Sequence, residues 1–359
     1  MRFFKAKLKP LIGLDMGSSS LKWVELAQDD KSELVLERCV TEPLQAGWIV
    51  DGHIEQFDEV AAALRRLVKA SGSPARQVAL AMPDSAVITT KILLPSDLGE
   101  AERFTHMASE VERLSGQPLT DMNVDFTVQG RAQALGQVNE VEVLIAAASQ
   151  ERVQDRLGLV ESAGLTPVVV DVETPAALLA TRRLINVLLV APEDAVALIQ
   201  IGAEGASLHV IQRGEIVHAA RQSVGGGRLT ELIAQTYGLD VAVAEDQKCK
   251  ESLPADYSHV VLQPFIQRLA DGLISDLDAL ASVSSWRKID SVLLSGGSSV
   301  LPGLQEAIQR RTFCNCVLAD PFSGMLLSKA VDPRVLHPSA SAGMLTACGL
   351  ALRRFNGLC

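Results

Sequence analysis

The alternation of apolar and polar positions gives the two halves of the chain the same opening. Residues 11–26, LIGLDMGSSSLKWVEL, begin apolar, break at an Asp-Met-Gly-Ser-Ser turn, and resume with apolar residues at Leu21, Trp23, Val24 and Leu26. This pattern predicts a β-hairpin. A further strand is predicted at Leu34 to Val40. Asp58 to Ala70 then carries leucine and valine at helical spacing, with Asp58 as the predicted N-cap. Residues 195–217, AVALIQIGAEGASLHVIQRGEIV, restart the theme as strand, glycine-containing turn and strand, with Arg213-Gly214 marking the next reversal. A repeated strand, glycine turn, strand signature is what a duplicated, two-lobed architecture would show.

Between the two hairpins, residues 77–163 read as an inserted unit. QVALAMP and AVITTKILLP are strand-like, AERFTHMASEVERL is helical, VDFTVQG and EVEVLIAAAS are strand-like again, and a helix at Gln150 to Ala163 closes the set. The loop RAQALGQVNE is the predicted hairpin tip. Leu184 to Val190 suits a buried strand or a short helix. After the second hairpin a helix is predicted from about Gly227 to Tyr237, followed by a helix-rich stretch from Val241 to Ser285. SVLLSGGSSVLPGLQEAIQRR then reads as strand, glycine turn and helix. The resulting division is a first-lobe core at 1–76, continued by 164–194 and 341–359, an inserted subdomain at 77–163, and a second lobe at 195–340 with a helical subdomain at about 227–288.

Composition narrows the function classes. With 359 residues and 48% hydrophobic content the chain exceeds the size at which one core stops growing, so two domains are expected. The net charge is −10 and no block of lysine or arginine relieves it, which argues against a nucleic-acid-binding surface. An anionic ligand would have to be held locally, by backbone groups and a few cations. No apolar run approaches the ~18 residues needed to cross a bilayer. The basic start MRFFKAKLKP lacks the apolar stretch of a signal peptide, so a cytoplasmic location is expected. Phe3, Phe4, Lys5 and Lys7 in that start read either as a lipid contact or as a solvated tail. The six cysteines form no metal-binding spacing, and the lone Cys314, Cys316 pair reads as reduced thiols.

Four glycine turns carry the candidate chemistry. In DMGSSSLK, Gly17 allows close approach of an anion, Ser18, Ser19 and Ser20 offer amide and hydroxyl donors, and Asp15 and Lys22 bring a carboxylate and a cation alongside. Magnesium held by Asp15 through water would suit such a turn. An ordinary tight hairpin is the competing reading. The second turn, QIGAEGAS, repeats glycine at Gly202 and Gly205 but has Gln200 where the first has Asp15. The third places Gly296 and Gly297 between strand and helix, where no side chain blocks a flat base. Its Ser298 and Ser299 read alternatively as helix caps. Finally, VGGGR at Val224 to Arg228 precedes a helix whose first amides could face an anion.

Together with VVVDVETPAALLA, SLPADY, ADPF and ACGLALRRF, these segments resemble the actin, Hsp70 and sugar-kinase superfamily. Within it they resemble the PilM family of type IV pilus assembly proteins, relatives of the division protein FtsA. The resemblance covers nearly the whole chain. It implies an α/β, actin-like and ribonuclease H-like fold of two lobes, with duplicated mixed β-sheets and an inserted α+β subdomain. It implies ATP or ADP with Mg2+ in the interlobe cleft. It assigns phosphate contacts to Gly17, Ser18, Ser19, Lys22, Gly202 and Ala203, with Gln200 facing the phosphates. Gly225, Gly226, Thr230, Gly296, Gly297 and Ser298 fall around ribose and base. Asp15 corresponds to the acid that organises magnesium, and Glu173 to a residue that orients a water. Both acids also read as caps or salt-bridge partners.

The family normally has an acid where this chain has Gln200, and a neutral amide can neither favour magnesium nor polarise a water. The expectation is therefore a nucleotide-holding scaffold with little turnover. The resemblance further implies a place at the cytoplasmic face of the inner membrane, reached through the cytoplasmic tail of PilN docked beside the inserted subdomain. Self-association stays open. So do three alternatives: a phosphotransferase of the same fold, an FtsA-like filament protein anchored by a C-terminal helix, and a fold that keeps no nucleotide.

Overall fold

The computed structural model describes residues 9–131, 140–188, 190–191, 193–283 and 289–355. The predicted hairpin tip at 132–139, the N-terminal Phe3 to Lys7 segment, residues 284–288 and the last four residues lie outside them. The chain opens with β1 (Ile12–Met16), β2 (Ser20–Gln28) and β3 (Leu34–Pro43), a short ribbon of β4 (Ile49–Val50) and β5 (His53–Ile54), and α1 (Phe57–Ser71). It continues through β6 (Gln77–Met82), β7 (Val87–Pro95), α2 (Glu100–Ser115), β8 (Met122–Arg131), β9 (Glu140–Ser149), α3 (Gln150–Ser162), β10 (Thr166–Val172) and α4 (Glu173–Val187). The second half contains β11 (Val196–Ile201), β12 (Ala206–Gln212), β13 (Glu215–Gln222), α5 (Gly226–Tyr237), α6 (Val241–Cys249) and α7 (Gln263–Val283). It ends with β14 (Ser291–Ser295), α8 (Leu304–Thr312), β15 (Asn315–Leu318), β16 (Leu326–Leu327), α9 (Pro338–Ser341) and α10 (Leu345–Leu352).

Two mixed sheets share one wiring. In the first the order is β10-β6-β1-β2-β3, with β16 added at the edge, and in the second it is β15-β14-β11-β12-β13. Each is an antiparallel three-strand meander whose first strand also pairs in parallel with a later strand: β1 with β6, and β11 with β14. The Arg213-Gly214 reversal has both residues at positive φ, 54° and 77°, the backbone a two-residue hairpin turn requires. Helices α4 and α10 lie between the sheets. Ala177 and Leu184 of α4 and Leu345 and Cys348 of α10 form one core with Val24 and Leu36 of the first sheet and Leu198 and Leu293 of the second.

The inserted unit is narrower than residues 77–163. β6 pairs in parallel with both β1 and β10, and its run from Val78 to Met82 is buried throughout, as a central parallel strand must be on both faces. Its apolar run could not be told from an insertion strand by pattern alone. Likewise α3 sends Leu159 and Val160 into the core of α1, beside Leu64 and Leu67. What remains between Met82 and Gln150 is a three-stranded antiparallel sheet, β7-β9-β8, with α2 packed on one face through Met107 and Val111. The chain also returns to the first lobe before residue 341, because β16 pairs with β3 and Phe322 joins the intersheet core.

Asp58 does not cap α1. Gln56 holds the N-cap position without a side-chain bond, while Asp58 and Glu59 lie in the first turn, where carboxylates suit the positive end of the helix dipole. Among the described residues no helix is long and apolar enough to cross a membrane.

Candidate functional site

The two predicted phosphate turns close in the same way. In the β1–β2 turn the Gly17 N–H donates to the Ser20 carbonyl at 3.1 Å, and in the β11–β12 turn the Gly202 N–H donates to the Gly205 carbonyl at 2.9 Å. Among the described residues the tip amides of Ser18, Ser19, Ala203 and Glu204 donate to nothing. Unsatisfied amides grouped on a turn form a concavity suited to an anion. An ordinary hairpin also leaves its tip amides to solvent; what sets this turn apart is the matching turn in the other lobe.

Register places Asp15 on β1 opposite Lys22 on β2, and their side chains, 10% and 16% exposed, form an ion pair at 2.9 Å. A side chain on Gly343 would touch both the Lys22 stem, at 3.7 Å, and the Gly297 amide, at 3.9 Å. Lys22 thus reaches the third glycine turn. There Gly296 has φ +93° and packs so tightly that a Cβ would lie 2.3 Å from the Ile201 carbonyl oxygen, whereas a Cβ on Gly297 would meet nothing within 4 Å. The Ser298 hydroxyl donates to the Gly202 carbonyl at 3.2 Å and the Ser299 hydroxyl to the Gly296 carbonyl at 2.7 Å. Neither serine caps α8, whose N-cap is Gly303. They bind the third turn to the second.

The VGGG segment also does a packing job that its sequence does not announce. The amides of Gly226 and Gly227 donate to the carbonyls of Gly202 and Ala203, at 2.9 and 2.8 Å, so the first donors of α5 are used inside the protein. A Cβ on Gly225 would come within 2.7 Å of three backbone atoms of the β11–β12 turn. These glycines permit backbone to lie on backbone and fix the β11–β12 turn from behind.

Thr230 on α5 meets two α6 residues that the sequence reading passed over, Glu245 and Lys248. The Thr230 hydroxyl donates to the Glu245 carboxylate. The Lys248 ammonium reaches Thr230 Oγ1 at 2.7 Å and Glu245 Oε2 at 2.6 Å. Burial pushes the Glu245 carboxyl up, but hydrogen bonds from Lys248 and Thr230 outweigh it and hold the carboxyl below its usual range. The signal available in the sequence was the i, i+3 acid and base of AEDQK on a helix following the glycine turn.

Glu173 is the first residue of α4. Burial, followed by the negative charges of Asp15 and Asp84, pushes its carboxyl up to about 8, against the opposing pull of the buried Arg156. Arg156 is 2% exposed and donates to the carbonyls of Gly52, at 3.0 Å, and Ala81, at 3.4 Å. Folded Glu173 keeps a proton that the unfolded chain releases near its ordinary 4.5, so stability falls as pH rises from about 4.5 through about 8. Glu173→Gln is expected to be more stable than the parent at pH 8 and little different at pH 4.5. Urea midpoints at the two pH values check this, and parallel midpoints would contradict it. Among the described residues no three His, Cys, Asp or Glu side chains gather as a metal site. The donor set fits magnesium arriving with phosphate oxygens, and does not fit a bare ion.

Gln200 lies two residues before Gly202, as Asp15 lies two before Gly17. It is half-buried between Ser207 of β12 and Ser295 of β14, and among the described residues its side-chain amide makes no hydrogen bond. Apart from the cleft, a cavity of about 460 Å3 opens between the first lobe and the three-stranded unit, lined among others by His53, Ala86, Ile88, Met122, Arg152 and Asp155.

The family model described as type IV pilus assembly protein PilM matches residues 13–355. The structure described as a PilM-PilN type IV pilus biogenesis complex is 26% identical, with TM-score 0.81, covering 96% of this chain and 98% of that one. The ethanolamine utilization protein EutJ of Carboxydothermus hydrogenoformans, at 17% identity and TM-score 0.56, covers 95% of this chain and 88% of its own. MreB 5 of Spiroplasma citri bound to AMPPNP, at 14% and 0.50, covers 98% and 97%. The last two likenesses concern the fold alone, which is actin-like. This chain belongs to the PilM family of type IV pilus assembly proteins.

Proposed function

We propose that the chain holds ATP or ADP in its interlobe cleft as a scaffold with little turnover, and binds the cytoplasmic tail of PilN in the cavity beside the three-stranded unit. The observation that carries the first part is the pair of matching turns, whose free amides at Ser18, Ser19, Ala203 and Glu204 accompany the half-buried Lys22 cation. Bound nucleotide would supply the phosphate charge these donors lack, and its magnesium a cation among Asp15 and Glu173. Lys22 would bind phosphate, Thr230, Glu245 and Lys248 would hold ribose or base, and Gly297 would leave room for the ring. Gln200 brings no charge to polarise a water, which supports retention over turnover. The bound AMPPNP of the structurally similar MreB 5 is consistent with this use of the fold.

The partner reading draws on the PilM-PilN complex, and on a slot whose apolar Ala86, Val87, Ile88 and Met122 are flanked by charged groups, suited to an extended peptide. Through that partner the protein would work on the cytoplasmic side of the inner membrane.

Calorimetric titration tests the nucleotide site. Lys22→Met is expected to weaken ATP binding about tenfold or more, the loss of one charge-assisted phosphate contact. Glu245→Ala should weaken ATP but leave inorganic triphosphate binding unchanged. Wild-type affinity for ATP in both variants would overturn the assignment.

A further inference from the structure

The two lobes lead a helix into an edge strand in the same way but with different residues. In the first, α3 runs into β10 through Gly164, at φ +77°, and the buried Leu165. In the second, α8 runs into β15 through Phe313, at φ +54°, and the buried Cys314. Glycine takes this left-handed backbone without steric cost, and phenylalanine does not. Phe313 is also 86% exposed, against 52% for Val260, the next most exposed large apolar side chain among the described residues. One position thus combines backbone strain with bare aromatic surface, and burial within the chain offsets neither.

The helix that ends there has two distinct faces. Leu304, Ala307 and Ile308 enter the core of the second lobe. The opposite face exposes Pro302, Gly303, Glu306, Gln309, Arg310 and Phe313, a stripe at helical spacing. Glu306 and Arg310 stand one turn apart in the order that favours an ion pair, yet among the described residues they form none. Arg311 is engaged on α7 instead, where it pairs with Asp271 and donates to Gln267 Oε1 at 2.9 Å.

We infer that this face binds a second copy of the chain, the two α8 helices lying antiparallel about a two-fold axis near Ile308. Reversing the helix about that point sets Glu306 against the partner's Arg310, and Arg310 against the partner's Glu306. The same operation lays Phe313 on the partner's Pro302 and the partner's Gly303, a flat ring followed by backbone with no side chain to hold the phenyl off. Each contact occurs twice, as an isologous interface requires. Charge selects the occupant. The stripe carries one acid and one base, so an acidic protein, a basic protein or an anionic lipid surface would each oppose one of them, whereas a reversed copy matches both. The face is small, and the association is expected to be weak, in the micromolar range. None of these residues is assigned to nucleotide or lines the slot, so the inference stands apart from both sites proposed above.

Sedimentation velocity of the full chain over about a hundredfold range of concentration tests it. The wild type should pass reversibly from monomer to dimer. Phe313→Ala, Glu306→Arg and Arg310→Glu should each raise the dissociation constant about tenfold or more. Mixing the two charge variants, or combining both changes in one chain, restores opposite charges across the axis and should return the constant to within about threefold of wild type. Phe313→Gly should also lose the dimer while melting about 2 °C higher at a concentration where the wild type is monomeric, because it relieves the left-handed strain. A wild type that stays monomeric throughout, or a dimer indifferent to all three single changes, overturns the inference. So does dissociation by the single charge variants without rescue on mixing, which would place a different partner geometry on α8. A lower melting temperature in Phe313→Gly would show that the ring serves its own chain, and overturns the reading of Phe313 as the anchor.

Discussion

Replacing Gly297 by phenylalanine is expected to leave the protein folded while weakening ATP at least about a hundredfold, roughly 2.7 kcal/mol. A Cβ at this position would meet no atom within 4 Å, so a side chain can start there without a clash. The phenyl ring would compete for the space assigned above to the nucleotide ring. The neighbouring Gly296 makes the contrast, because it combines φ +93° with a Cβ position 2.3 Å from the Ile201 carbonyl oxygen. Gly296→Val should therefore destabilise the second lobe by more than about 4 kcal/mol. Thermal melts and ATP titrations on the two variants separate them: one folded and empty, the other unfolded. Normal ATP affinity in Gly297→Phe would remove the third turn from the site.

A second large effect is expected in the layer between the sheets. A Cβ on Gly349 of α10 would lie 1.8 Å from the Ala176 carbonyl oxygen of α4, and one on Gly13 of β1 would lie 2.0 Å from the Ala347 carbonyl oxygen of α10. Backbone meets backbone on both sides of α10, and neither contact can relax through a flexible side chain. Gly349→Val should lower the melting temperature by at least ~10 °C, or prevent folding, with a loss of several kcal/mol. A normal melting temperature would mean that α10 does not fill the layer between α4 and β1.

Those positions also show what could be read from sequence and what could not. The hairpins were legible because period-2 apolar spacing and glycine turns are local signals, and the same signals placed Asp15 and Lys22 on adjoining strands with Gly17 in the turn between them. The wiring of β6 was not local. Its short apolar run is compatible with any buried strand, and only pairing with β1 and β10, distant in sequence, identifies it as central. The packing role of VGGG was not legible for a related reason. Glycines before a helix signal both anion binding and close backbone approach, and the partners that decide between them, Gly202 and Ala203, lie more than twenty residues earlier. Glu245 and Lys248 were missed because an i, i+3 acid and base on a helix is usually a surface pair. Thr230 beneath them sets this pair apart. Asp58 lost the cap because a carboxylate in the first turn, after Gln56, serves the same positive helix end.

The account turns on a cleft that retains nucleotide without consuming it. Its most direct test is one preparation of the purified protein, titrated with ATP and magnesium and then followed for phosphate release. Saturable binding at about one nucleotide per chain, with turnover far below the ~1 s⁻¹ of slow ordinary enzymes, is the predicted result. Magnesium-dependent hydrolysis near or above that rate, abolished by Asp15→Ala, would contradict it, as would a protein that binds no nucleotide.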